Sequence, residues 1–142
     1  MNKLRTFIRL SSFQKGLLIQ AFGFSLYTWL LFLFFKKRAG FGERLAGNYP
    51  DLQADKRSND IAWAIHATGK YVPWKNVCRH QAYQAKLLCN VYKIRCLIFI
   101  GFKKDKAYGI QAHAWAMAGG KIITGHCNPD DYIVQNIYKN KW

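Results

Sequence analysis

The sequence predicts an α+β domain, with helices first and a small antiparallel sheet after them. Three observations predict it. Apolar and small residues recur at helical spacing as far as Asn90. From Arg95 onward the pattern shortens to that of strands, rich in β-branched and aromatic side chains. Glycine-containing turns then cut this second half into hairpin-length pieces. At 142 residues the chain suits one core, and with 51% hydrophobic and 16% aromatic residues it is not a disordered chain.

Residues 1–15 carry Lys3, Arg5, Arg9 and Lys15 and no acid. Residues 16–35, GLLIQAFGFSLYTWLLFLFF, hold no charge and are closed by Lys36, Lys37 and Arg38. A run of about twenty apolar residues has the length to cross a bilayer, and basic residues at both ends give it no orientation. The run is read two ways, as a helix buried by the rest of the domain or as a segment in or on a membrane. Residues 41–47 read as a short helix stopped by Gly47, and Asn48-Tyr49-Pro50-Asp51 as turn chemistry. Residues 1–47 are thus expected to form a basic, apolar, helical N-terminal region, and residues 48–142 the main domain.

Asp60 is the expected cap of a helix with Ile61, Ala64, Ile65 and Thr68 on one face and Gly69 as its stop. Pro73 breaks the chain. Asn76 is the expected cap of the next helix, residues 77–90, on which Cys78, Ala82, Ala85 and Cys89 share a face of small side chains. Strands are expected over 95–102 (RCLIFIGF), 110–117 (IQAHAWAM), 121–124 and 132–138. A charged loop at 103–109, a Gly119-Gly120 hairpin turn and a loop at 125–131 separate them. Alternation along 110–117 sets His113 and Trp115 on one face.

Lys and Arg number 22 against 7 Asp and Glu, a formal charge of +15. This suits an anionic partner, or simply a solvated basic surface. The 10 Phe, 8 Tyr and 5 Trp crowd the apolar run and the expected strands and do not interleave with the basic residues, so no nucleic acid is expected as partner. A non-catalytic basic adaptor, associated with a membrane or with nucleic acid, is nevertheless the rival class. The four cysteines, Cys78, Cys89, Cys96 and Cys127, include no CxxC pair, and no A-x-A cleavage site follows the apolar run. They are read as reduced thiols of a cytoplasmic protein, one that is associated with a membrane only if the apolar run is not buried. His126 and Cys127 with His113 make an incomplete metal site, and neither a metal nor another cofactor is expected. His66 and His80 read as surface or helix-packing residues, and His80 points away from Cys78.

Cys78 lies in the first turn of its expected helix. The unpaired backbone N–H groups there favour negative charge on its sulfur and can hold an oxyanion. A cysteine nucleophile needs a base, most often histidine. His113 lies about 35 residues later on a strand that a hairpin can lay against the helix. Trp74 and Trp115, beside these two residues in sequence, read either as walls of a substrate cleft or as core.

Pro73-Trp74-(x)3-Cys78, then a small-residue helix, CLIFIGF, Ala112-His113-Ala114-Trp115 and Gly119-Gly120 together resemble the transglutaminase-like cysteine peptidases of lasso-peptide biosynthesis. These are the B-protein leader peptidases, akin to the peptidase part of the microcin-maturation B protein. The resemblance runs from about Ile61 to about Thr124. It implies a papain/transglutaminase-like fold with the nucleophile on a central helix. It also implies that Cys78 and His113 remove the leader from a ribosomal precursor peptide, so that an ATP-dependent cyclase can close the macrolactam. No strand-rich segment suited to leader recognition precedes Cys78, so a separate leader-recognition protein is expected.

The chain departs from that family at the acid that often follows the histidine by about twelve residues. Here the neighbourhood reads Thr124-Gly125-His126, and no Asp or Glu lies between His113 and Asn128. Asn128, Asp130 and Asp131 are the side-chain candidates to orient the imidazole. Asp130 is taken as the third catalytic residue, and a backbone carbonyl or water remains the alternative acceptor.

Overall fold

The computed structural model describes residues 3–142. Along the chain run α1 (Lys3–Ile8), α2 (Ser12–Phe34), β1 (Glu43–Leu45), α3 (Arg57–Gly69), α4 (Cys78–Val91), β2 (Cys96–Asp105), β3 (Gly109–Ala118), β4 (Lys121–Thr124) and β5 (Ile133–Lys139). Single 3-10 turns occupy Lys36–Arg38 and Pro129–Asp131. The strands form one antiparallel sheet in the order β1-β5-β2-β3-β4.

The helices cover one face of this sheet, because β2 and β3 alternate. Ile98, Ala114, Ala116 and Ala118 point to the helix side, where they share a core with Leu17 and Ala21 of α2, Ile61 and Ala64 of α3, and Ala82, Ala85 and Leu88 of α4. The three alanines of β3 and the two of α4 are what let helix and sheet approach closely. Leu97, Phe99 and Trp115 point the other way, into a second, thinner core with Leu52, Cys127, Tyr132 and Ile137. The sheet is therefore buried on both faces, by helices on one side and by loop segments on the other.

The apolar run is helix α2. Ser11 starts it with a reciprocal capping box: its hydroxyl accepts from Gln14 N at 3.1 Å, and Gln14 Oε1 accepts from Ser11 N at 3.2 Å. One face, with Leu17, Ala21, Ser25, Thr28, Leu31 and Phe32, is buried, whereas Ile19, Phe22, Leu30, Leu33 and Phe34 are exposed. The helix is a wall of the core, yet its outward face is also apolar.

Residues of the 1–47 region pack onto the chain that follows them. Leu17 and Ala21 lie in the same core as α3 and α4, and β1 pairs with β5 near the C-terminus. Deleting residues 1–38 should consequently leave the rest aggregated, because it strips one wall from a small core. Soluble yield and far-UV circular dichroism of the truncated chain check this.

Three local expectations are corrected. Residues 41–47 hold strand β1, since sheet pairing of Glu43–Leu45 with β5 outweighs local helix propensity. Helix α3 begins at Arg57, before Asp60, because Asp55 organises its start: Asp55 Oδ1 accepts from Arg57 N at 2.9 Å, and the Asp55 carbonyl accepts from Ser58 Oγ at 2.6 Å. Asn76 does not cap α4. Val77 holds that place, and Asn76 Oδ1 accepts instead from Gln84 Nε2 at 2.8 Å. The Gly119-Gly120 turn stands as read, with φ of 61° and 77° as a two-residue hairpin requires.

Candidate active site

Helix α4 begins at Cys78 itself, after an extended Val77. Its first amides therefore have no partner within the helix, and Cys78 is the side chain nearest them. The thiol is half-buried against the helix-side core, the layer that includes Ala114. The flanking segment is dense in buried polar atoms without partners: Trp74 Nε1, Asn76 Nδ2, Arg79 Nε, His80 Nδ1 and Gln84 Oε1.

His113 projects from β3 on the face it shares with Trp115, at a point where its ladder partner on β2 is Gly101. Its ring is held on three sides. The Trp115 ring lies 6.1 Å away and the Tyr132 ring 5.3 Å away, both stacked, and Nε2 meets the Gly125 carbonyl at 2.8 Å. A carbonyl only accepts, so Nε2 carries the hydrogen, and in the neutral ring Nδ1 is left as the basic nitrogen.

Gly125 can supply that carbonyl because it turns the chain at φ 67° directly after β4 and lies against β3. A Cβ there would collide with the Ala114 carbonyl and approach Trp115 Cα to 3.0 Å. Glycine is thus required twice at this position, by conformation and by space. Gly125 stands twelve residues after His113, at the place where the resembled family often carries an acid. Among the described residues, the hydrogen-bond partner of the His113 ring is this backbone carbonyl.

Asp130, expected as the orienting acid, is placed elsewhere. It is exposed in the Pro129–Asp131 turn, with its N–H bonded to Asn128 Oδ1 at 3.2 Å. Asn128 is occupied by that turn, and Asp131 lies near Cys127, whose thiol is pushed up by burial and then by the Asp131 charge. Replacing Asp130 with Ala should leave any activity of the site within a few fold of wild type, as a rate measurement on the two proteins would show.

The two tryptophans are not cleft walls of equal standing. Trp115 is 1% exposed and stacks on Phe99 at 5.3 Å with nearly parallel planes, so it is core and acts on His113 from beneath. Trp74 is half-buried on α2, against Trp29 and Phe22.

Cys78 and His113 are not hydrogen-bonded to each other among the described residues. Cys78 belongs to the helix side of the sheet and His113 to the other, and the β3–β4 ladder stops at Ala116 with Thr124.

The remaining thiols and histidines have other roles. Cys89 and Cys96 are buried, and the Cys96 thiol is held well above the usual range by its hydrogen bond with Cys89 and then by burial. His66 is exposed. His80 is buried against Phe32, at 5.1 Å, and its pKa is lowered to about 4 by burial and then by the charges of Arg79 and Lys75. Because the folded imidazole resists a proton that the unfolded one accepts, stability should be insensitive to His80 above about pH 6.5 and fall as the pH drops toward 4. Thermal midpoints of wild type and His80→Phe across pH 4 to 7 should differ in slope, the variant showing the weaker dependence.

The fold and this arrangement define a class: an α+β domain of papain-like type, with a cysteine at the start of a central helix and an oriented histidine on the adjoining sheet. The chain belongs to the transglutaminase-like superfamily, whose family model matches residues 27–135. That superfamily includes cysteine peptidases and transglutaminases. No curated protein and no solved structure matches the chain.

Proposed function

We propose that this protein is a cysteine peptidase that removes the leader from a ribosomal lasso-peptide precursor. The observation that carries the reading is the ring of His113, whose Nε2 is tied to the Gly125 carbonyl and whose Nδ1 is left as a base, on the sheet that packs against the helix opened by Cys78. The lasso-peptide assignment rests on the resemblance of the Pro73-Trp74-(x)3-Cys78 and Ala112-His113-Ala114-Trp115 segments.

In this reading Cys78 Sγ and His113 Nδ1, which the fold sets on opposite sides of β3, meet only after a rearrangement of the sheet that substrate binding drives. Nδ1 takes the thiol proton, and the thiolate attacks the carbonyl carbon at the end of the leader. The free amides at the start of α4 hold the oxyanion. The imidazolium returns its proton to the amine of the core peptide, which leaves, and a thioester joins the leader to Cys78. His113 then takes a proton from water, whose hydroxide displaces Sγ and frees the leader as a carboxylic acid. The Gly125 carbonyl keeps the ring in register throughout.

The same reading requires a separate leader-recognition protein and a macrolactam cyclase that uses the freed amine. Mass spectrometry of candidate precursors, incubated with this protein with and without a leader-binding partner, tests it. Cleavage should be slow alone and faster with the partner, since tethering raises the local concentration of the leader. No cleavage of any precursor with its partner present would remove the lasso-peptide assignment.

A further inference from the structure

The outward face of α2 is the largest feature that the proposed chemistry leaves unused. Helix α2 is apolar on all sides, and such helices are found buried in protein or in lipid. Only one side is covered here. Ile19 is 69% exposed, Leu33 54% and Phe34 68%, and Phe7, Ile8 and Phe13 extend the apolar surface toward the N-terminus. Water is a poor neighbour for a patch of this kind, which marks a docking surface.

Charge says what docks there. No acid precedes Glu43, and the patch is bracketed by Arg5, Arg9 and Lys15 at one end and by the exposed Lys36, Lys37 and Arg38 at the other. Two copies paired along α2 would set cationic ends against cationic ends in either direction, so self-association is opposed. Apolar side chains flanked by cations fit a bilayer with anionic headgroups, the chains entering the acyl boundary while the cations meet phosphate. The buried face decides the orientation. Leu17, Ala21, Thr28 and Leu31 are held in the core, so α2 cannot cross a bilayer without dismantling the domain.

We infer that α2 lies flat on an anionic membrane surface, seating the folded domain there as a peripheral protein. The inference is independent of the chemistry at Cys78.

Sedimentation of the full chain with vesicles tests it. The protein should pellet with vesicles of phosphatidylcholine and phosphatidylglycerol, far less with phosphatidylcholine alone, and be released by alkaline carbonate. Ile19→Gln/Leu33→Gln/Phe34→Gln alters only exposed positions. It should weaken binding by about tenfold or more while circular dichroism and thermal midpoint hold. Lys36→Glu/Lys37→Glu/Arg38→Glu should abolish the preference for anionic lipid, again by about tenfold or more. Three outcomes would overturn the inference. The wild type would stay in the supernatant with both vesicles, it would resist carbonate extraction as a spanning helix does, or the glutamine variant would bind unchanged. A concentration-dependent dimer that dissociates in the glutamine variant, without vesicle binding, would assign the face to a second copy instead.

Discussion

Cys78→Ala should abolish the proposed leader cleavage and leave the protein folded. The loss should be on the order of 10^4-fold or more, because without the sulfur the remaining groups provide only binding and oxyanion contacts. The cost to stability should be small. Cys78 is half-buried at the first position of α4, alanine is a good helix former, and the change removes one sulfur from a partly open position. Circular dichroism and the thermal midpoint should match wild type. Cys89→Ala supplies the contrast, since that thiol is fully buried in the helix-side core and hydrogen-bonded with Cys96. It should lose stability by about 1–2 kcal/mol with activity within a few fold of wild type. Rates and midpoints measured for both variants separate the chemical thiol from the packing one.

Gly125→Ala is expected to have the second largest effect. The backbone there has φ 67°, and the added methyl meets the Ala114 carbonyl and the Trp115 backbone. Strain of this kind costs about 1–3 kcal/mol at an unsuitable residue. The chain can escape it only by moving the Gly125 carbonyl off His113 Nε2, and the ring then loses the acceptor that fixes its tautomer. Cleavage should fall on the order of a hundredfold, by comparison with other orienting groups. The effect should concentrate in kcat, because the Gly125 carbonyl acts through the His113 ring. An Asp130→Ala protein tested beside it should cleave nearly normally. A Gly125→Ala protein that is folded and fully active would show that His113 needs no acceptor at this place.

Much of this architecture is visible in the residues themselves. The change from helical to strand periodicity after Asn90, the Gly119-Gly120 turn and the alternation of β3 are local patterns, and local patterns survive folding. The capping box of Ser11 and Gln14 is equally readable, as a serine followed three residues on by glutamine before an apolar run. Strand β1 is different, because its partner on β5 lies almost a hundred residues away and no local signal competes with such a pairing.

The acceptor for His113 is legible as a class, a backbone carbonyl, but not as Gly125, because every residue carries a carbonyl and only the fold selects one. The available signal was negative: a glycine where relatives of the resembled kind place an acid, directly after a short strand. Tyr132 beside the ring, and the buried state of His80, likewise depend on contacts between segments distant in sequence, whereas Trp115 follows from the alternation of β3.

The central claim is that Cys78 is the reactive thiol of this protein and that His113 activates it. Alkylation by iodoacetamide near neutral pH, followed by peptide mapping, tests it without knowledge of the substrate. Cys78 should react at least about tenfold faster than Cys127, whose thiol is pushed up by burial and the Asp131 charge, while buried Cys89 and Cys96 stay unmodified until the protein unfolds. His113→Ala should bring the Cys78 rate down to that of an ordinary thiol. A Cys78 that reacts no faster than Cys127, or at a rate indifferent to His113, would contradict the account.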